Sequence, residues 1–314
     1  MRDPIKTNNY NEWLKQRSTF IGSSEILVAI GQYNKYRSPL DVYNEKINGA
    51  EYFDNDTLWF GRNVEPVCAK WLEQRCDKYK GVVVEDDGYT RFHSKYDFIG
   101  TTVDGICHMP DRSKAILEIK TARASAVSNW GAELPLQYYG QIQIQMAITG
   151  IQKAIVVLCV QDSFEGIKFE TQEYEYYPEF AEQVINKCVD FWYNHIVPKH
   201  PPEATTNNDI KQLYPEANGH SLEASPELAD KIRVLKNLKA TKNEMDKNIK
   251  GIELDIKKLM KDAQSITYGE DTLATWKNNK PRTSFNQKEF KEDHPDLYQK
   301  YIKESGPIRV LRLK

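Results

Sequence analysis

The sequence predicts an α/β protein, on three observations. Between residues 81 and 122 it carries short apolar–polar runs broken by turn residues, the mark of a strand meander. A helix-like stretch, "PLQYYGQIQIQMAITG" (135–150), then precedes an unbroken apolar run, "KAIVVLCVQ" (153–161), which reads as a buried strand. An alternating strand, "GIKFETQEYEY" (166–176), and a long helix, "YPEFAEQVINKCVDFWYNHI" (177–196), complete the order of helices, meander, helix, strands and helix.

Taken from the N-terminus, residues 8–48 read as helical with one interruption. "NNYNEWLKQRSTF" (8–20) is a capped short helix with Trp13 and Leu14 inward. "IGSSEILVAIG" (21–31) breaks at Gly22, and Ser23 or Ser24 is expected to cap the next helix with Glu25 in its first turn. In "SPLDVYNEKING" (38–49), Ser38 caps, Pro39 takes the first helical position and Gly49 stops the helix. "LWFGRNVEPVCAKWLEQRC" (58–76) has a helical apolar period at 60, 64, 67, 68, 71 and 72. Pro66 fits only a first turn or a kink, which puts Glu65 near a helix start. Within "AILEIKT" (115–121) the period is two, so Leu117 and Ile119 face one side while Glu118 and Lys120 face the other.

Residues 197–221 are rich in Pro and Asn and read as a linker or a loop crossing a surface. Beyond them, apolar residues at 235, 238, 245, 249, 252, 256 and 259 make a short coiled-coil pattern, with Lys242 in the vacant seam position. The plain alternative is a two-faced helix packing on its own domain. A strand pair (265–279), a short helix (286–302) and the basic tail "GPIRVLRLK" follow.

With 314 residues, 40% hydrophobic and 28% charged, the chain can fill one large domain or two ordinary ones. A net charge of −2 says nothing of partners, so any nucleic-acid surface must be local. The five cysteines form no CxxC pair, which argues for reduced thiols and against zinc or an iron–sulfur cluster. The polar start "MRDPIKTNNYNEW" lacks a signal-peptide core, and no stretch approaches the roughly 20 apolar residues of a membrane span. The expectation is a cytoplasmic protein.

The stretch "VDGICHMPDRSKAILEIK" (103–120) sets Asp104, Glu118 and Lys120 among residues that favour burial. If its turn closes a hairpin, Asp104 and Glu118 converge. The Ile119 carbonyl then adds a neutral ligand, and Glu65 adds a third carboxylate from an overlying helix. Hard oxygen ligands of this kind suit Mg²⁺. Lys120 shares Glu118's face and could hold a water or offset charge on a phosphate, giving a metal-assisted phosphodiester hydrolysis site. A solvated hairpin is the plain reading, but Gly100, Gly105 and the small Thr101–Thr102 would let a ligand approach closely. Ser23 and Ser24 at a helix start, with Arg17 from the preceding helix, could receive an anion. Gln141, Gln143 and Gln145 are either an exposed polar face or packed glutamines. Arg123 and Trp130 could contact DNA, although Trp130 also suits a core; His93 and His108 read as ordinary residues.

"IGSSEI", "FGRNVEPVCAKWLE", "TTVDG", "ILEIKTA" and "YYGQIQIQMAITG" occur in an order and spacing that resemble the YqaJ-like viral recombinases. These are phage exonucleases related to lambda exonuclease, within the PD-(D/E)xK superfamily, and the likeness spans roughly residues 13–195. It implies a restriction-endonuclease-like core, with a mixed central β-sheet flanked by helices, over 1–200. A linker (201–221) and a helical, basic C-terminal extension (222–314) would follow. It implies two Mg²⁺ ions, replaceable by Mn²⁺, and 5′-to-3′ digestion of one strand of linear duplex DNA. Asp104, Glu118, Glu65 and the Ile119 carbonyl would hold metal, Lys120 would be the catalytic lysine, and Gln141 would orient Lys120 or the nucleophilic water. Arg17, Ser23 and Ser24 would hold the 5′-phosphate. Where relatives carry an aromatic shortly after the glutamine, this chain has Ile144 and Gln145, which puts that substrate contact in doubt. The resemblance further implies a phage- or prophage-encoded protein in a bacterial host. It would form a ring-shaped homo-oligomer, leave 3′ single-stranded tails and work with a single-strand annealing protein. The rival readings are an endonuclease on the same fold and a non-catalytic DNA-binding or interaction module. For 226–264 and the basic tail, binding of a partner protein or DNA is expected.

Overall fold

The computed structural model describes residues 2–6, 10–33, 36–50, 53–86, 88–128, 130, 133–164, 166–303, 306 and 308–314. Chain contacts divide it into two units, Met1–Leu213 and Tyr214–Lys314. The first unit begins with β1 (Ile5–Lys6), α1 (Tyr10–Arg17), β2 (Ile21–Gly22), α2 (Ile26–Ala29), α3 (Pro39–Asn48) and α4 (Asp56–Arg75). Strands β3 (Val83–Glu85), β4 (Tyr89–Phe92), β5 (Ile99–Thr101), β6 (Gly105–His108) and β7 (Lys114–Arg123) follow. Then come α5 (Ala124–Ser128), α6 (Leu136–Thr149), β8 (Lys153–Asp162), β9 (Gly166–Glu175), α7 (Pro178–Phe191) and α8 (Asn207–Leu213).

The main sheet has the order β3-β6-β7-β8-β9. It is mixed: β7 and β8 run parallel, and the other neighbours are antiparallel. The apolar run of β8 is explained by helices on both faces. Ile155, Val157 and Cys159 pack with Val64, Cys68 and Leu72 of α4. Ala154, Val156 and Leu158 pack with Ile142 and Met146 of α6. β7 obeys the same parity. Leu117 and Ile119 join the α4 side and Ile116 the α6 side, so Glu118 and Lys120 lie on the face covered by α6. A smaller sheet, β1-β4-β5-β2, and a core of α2, α3, α6 and α7 residues complete the unit.

Several local expectations change. The cap at Asn8–Asn9 lies outside the described residues. α3 has the expected ends: Ser38 and Asp41 form a reciprocal capping box, with Pro39 at the start and Gly49 at φ 87° after the end. α4, by contrast, starts at Asp56, where Asn55 accepts from the Leu58 N–H. Glu65 is therefore mid-helix and not near a helix start. Pro66 sits on the exposed side, where water can serve the carbonyl it leaves unpaired. Gly100 and Gly105 make room for side chains rather than for a ligand. A Cβ would stand 2.7 Å from the Phe20 ring at Gly100 and 3.0 Å from Val84 at Gly105.

The segment expected as a linker carries α8. Asp209, fully buried, accepts from Ser38 Oγ at 2.7 Å and from the N–H groups of Thr205 and Thr206, which ties α8 to the start of α3. The second unit holds α9 (Pro226–Met260), one continuous helix of 35 residues, and a hairpin of β10 (Ser265–Tyr268) and β11 (Asp271–Thr275). The expected helix at 286–302 is two, α10 (Gln287–Asp293) and α11 (Pro295–Tyr301), because Pro295 opens a new helix. Along α9 the seam residues Leu238, Met245, Ile249 and Ile252 are more than half exposed. Among the described residues, no helix is long and apolar enough to cross a membrane.

Candidate active site

The β6–β7 hairpin brings the two expected acids together. Its ladder pairs Gly105 with Leu117, so Asp104 lies just beyond the paired part of β6. There its Oδ2 accepts the Ile119 N–H at 2.7 Å. The N–H and C=O of one strand residue project to the same edge, so the Ile119 carbonyl also faces Asp104's side. Glu118, 2% exposed, points under α6. Its Oε1 accepts from the Lys120 ammonium and from Gln141 Nε2 at 2.8 Å. Its Oε2 accepts from Gln145 Nε2 at 2.6 Å. Lys120 Nζ also lies 5.1 Å from the centre of the Tyr138 ring.

The "QIQIQ" run is thereby explained. Gly140–Met146 is buried on every side, and Gln141 and Gln145, one turn apart, share the face over Glu118. Gln143, on the other side, donates to the Glu175 carbonyl and accepts the Tyr177 N–H, joining α6 to the approach to α7. α6 can come this close because residue 140 is glycine: a Cβ there would stand 2.5 Å from Leu27 Cδ1.

Electrostatically the site is acid-rich. Burial and then Glu118 push Asp104 well above the usual carboxylate range, with Glu65 adding to the effect and Lys120 opposing it. Burial and Glu118 raise Glu65 to about 7. Lys120 is pulled down by burial, but Glu118 and Asp104 outweigh this and hold it above its ordinary value, so it stays an ammonium at neutral pH. Three carboxylates thus share one lysine. Among the described residues, no three Asp, Glu, His or Cys side chains form a ready-made metal cage. The donor set is carboxylate and carbonyl oxygen, which suits a hard divalent cation that keeps several waters.

Arg17 and Ser24 also meet: Arg17 Nη2 donates to Ser24 Oγ at 3.2 Å. Ser23 does not join them. Its side chain is buried, its hydroxyl pairs with Thr101 Oγ1 at 2.7 Å, and its N–H donates to the Gly100 carbonyl. Neither serine caps α2, which is one turn long and starts after Glu25. Glu25 itself accepts the Gly22 N–H at 3.0 Å.

Sequence reasoning missed the centre of this cluster. Glu25, 1% exposed, bonds the Lys46 ammonium, lies 3.2 Å from Arg17 Nη2 and stands 3.7 Å from Arg37 Nη1. Burial raises the Glu25 pKa, but Lys46, Arg17 and Arg37 overcome it and hold the group at about 2. A lone Glu in a predicted first turn gave no hint of partners 8, 12 and 21 residues away. Gln145 was likewise visible only as one of three glutamines. Trp130 is half-buried against Tyr138, its ring centre 5.7 Å away, which fits the core reading. Arg123 is exposed at the end of β7, and His108 pairs with Glu85 at 2.7 Å.

No curated protein matches the chain. Among solved structures, an alkaline exonuclease from Laribacter hongkongensis, LHK-Exo, in complex with dAMP is similar at 17% identity and a TM-score of 0.50. The similarity covers 65% of this chain and 97% of that one. A second structure of LHK-Exo aligns at 19% identity and a TM-score of 0.49 over 61% and 94%. The first likeness establishes the fold, a mixed sheet flanked by helices of the restriction-endonuclease-like type. The sequence profile of the YqaJ-like viral recombinase domain matches residues 12–152, from α1 through the Gln141–Gln145 face of α6. Residues 12–152 of this chain therefore match the YqaJ-like viral recombinase domain, the same family that its sequence motifs resemble.

Proposed function

We propose that the protein is a Mg²⁺-dependent exonuclease that digests the 5′-ended strand of linear duplex DNA and leaves 3′ single-stranded tails for phage recombination. The observation that carries this reading is the acid-rich site itself: Asp104, Glu118 and Glu65 with one lysine, on the central hairpin and the helix above it. Protonation is the protein's own answer to that excess of negative charge. A divalent cation answers it better, and its oxygen preference matches Asp104, Glu118, Glu65 and the Ile119 carbonyl.

When bound, Mg²⁺ or Mn²⁺ would supply Lewis-acid stabilisation of the phosphate and activate water as the nucleophile. The chain's own residues do the rest. The Ile119 N–H fixes the Asp104 carboxylate. Lys120, an ammonium beside Glu118, offsets charge developing on the phosphate oxygens. Gln141 holds Glu118 Oε1 and so sets the plane of the carboxylate and the reach of Lys120. Arg17 and Ser24 receive the terminal 5′-phosphate, with Arg17 held in place by Glu25; Ser23 supports the strand through Thr101. In-line attack then releases one 5′ nucleotide per cycle.

The same reading makes the protein a ring-forming homo-oligomer in the bacterial cytoplasm, handing its product strand to a single-strand annealing protein. The exposed seam of α9 and the basic tail provide a surface for such a partner. The test is a linear duplex with one 5′-phosphorylated strand and 3′ labels, incubated with Mg²⁺ beside a closed circular control and Glu118→Ala. Stepwise loss of the 5′-ended strand is expected, with the circle spared and the variant inactive. Cutting of the circle would establish an endonuclease instead. No metal-dependent cleavage of either would leave a binding module.

A further inference from the structure

We propose that Gln145 is a positioning residue for divalent-ion binding, selecting which acceptor of Glu118 faces the ion and offering the ion's hydration shell a buried acceptor. The proposal rests on the nuclease reading above and deepens it.

A carboxylate has about four acceptor directions, two on each oxygen. On Glu118, Oε1 is taken twice, by Lys120 and Gln141. Oε2 is taken once, by Gln145 at 2.6 Å. Among the described residues one direction therefore remains, and it is on Oε2, beside the Gln145 amide. Removing Gln145 would free both Oε2 directions and let the carboxylate rotate about its remaining anchors.

The other end of the same amide is the second observation. Gln145 is fully buried, and its Oε1 meets no donor among the described residues. The 2.6 Å contact fixes the amide's orientation, because a flipped amide would set oxygen against the Glu118 carboxylate. A buried acceptor without a donor is costly, and native sites rarely keep one without a purpose. Mg²⁺ keeps several waters when protein carboxylates bind it, and each carries O–H donors. One side chain thus orients an ion ligand with its N–H and accepts from the hydrated ion with its C=O.

The experiment is calorimetric titration of full-length wild type, Gln145→Met and Gln145→Asn with MgCl₂ at pH 7.5, with a thermal melt of each. Methionine keeps the volume but removes both polar ends, and asparagine keeps the amide but withdraws it from Glu118. Partners of this kind typically carry 10–100-fold in metal affinity. Both variants should lose Mg²⁺ affinity by that factor. The Mg²⁺ concentration for half-maximal cleavage should rise in step, while excess Mg²⁺ restores kcat and KM for DNA stays within about twofold. A purely structural role would lower the melting temperature without moving the affinity. A folded variant, asparagine included, that binds Mg²⁺ within about twofold of wild type overturns the proposal and leaves the nuclease reading standing. A wild type that binds no Mg²⁺ and cuts no DNA removes that reading itself.

Discussion

Glu25→Ala is the sharpest test of the architecture. In the folded protein the Lys46 side chain is 1% exposed, and its ammonium is held by Glu25 and by the Arg17 carbonyl at 2.8 Å. Removing the carboxylate leaves that ammonium buried beside two guanidinium groups and takes the acceptor from the Gly22 N–H. Breaking a buried pair from one side costs about 3–5 kcal/mol, a large part of the roughly 5–15 kcal/mol that holds a domain folded. At about 2–4 °C per kcal/mol for a unit of this size, the melting temperature should fall by about 6–20 °C. Lys46→Met should cost less, because Glu25 keeps Arg17 and Arg37. The double variant Glu25→Ala/Lys46→Met should recover part of the loss, since no bare ammonium remains. The Glu25 pKa of about 2 lies below its ordinary value, so its stabilisation is full above pH 4.5, declines as pH falls below that, and is gone once pH has passed through 2. Urea and thermal melts at pH 7 therefore read it in full. A loss below about 1 kcal/mol in Glu25→Ala, or a double variant no better than the single, would refute the charge-hub account.

Metal linkage gives a second prediction. Glu65, raised to about 7, and Asp104, also raised, favour the metal-free fold below the ordinary carboxylate range, and that contribution fades as pH climbs through their folded pKa values. An ion competes with those protons, so the Mg²⁺-induced rise in melting temperature should be larger at pH 8 than at pH 6; equal shifts would count against the assignment. Gly140→Ala adds a methyl 2.5 Å from Leu27, and overpacking of about 1–3 kcal/mol should exceed the roughly 1 kcal/mol that alanine gains in a helix. A stabilised variant in urea melts would mean that α6 and α2 are not so close. A chain ending at Leu213 should fold and, on the proposed function, still hydrolyse short duplexes with Mg²⁺; loss of both would show that the second unit is needed for the first.

Local signals carried the reading where the chemistry is local. Period-two alternation placed Glu118 and Lys120 on one face, and Ser38, Pro39 and Gly49 bounded α3. Two failures were local, Pro295 splitting the last helix and Asn55 starting α4 well before Glu65, but several others depend on distant parts of the chain. Ser24 looked like a cap because the pattern of a helix start hides that α2 is only one turn long. Asp209 lay in a stretch read as a linker, since nothing nearby announces a hydrogen bond to Ser38, 171 residues away. The two-residue strands β1 and β2 are held by pairing with β4 and β5, not by their own composition. Gln145 stood in view, but its meaning depends on which strand runs beneath α6.

Glu118 and Lys120 lie in the middle strand of a five-stranded sheet, paired with β8 from Ile116 to Arg123, just past the point where pairing with β6 ends at Leu117. Amides in such a strand exchange with solvent mainly through global opening, whereas loops and chain ends open far more cheaply. The working part of this molecule is then also among its last parts to melt. Heat should not soften the centre gradually: activity should persist almost to the unfolding transition and then vanish with it, in one cooperative step.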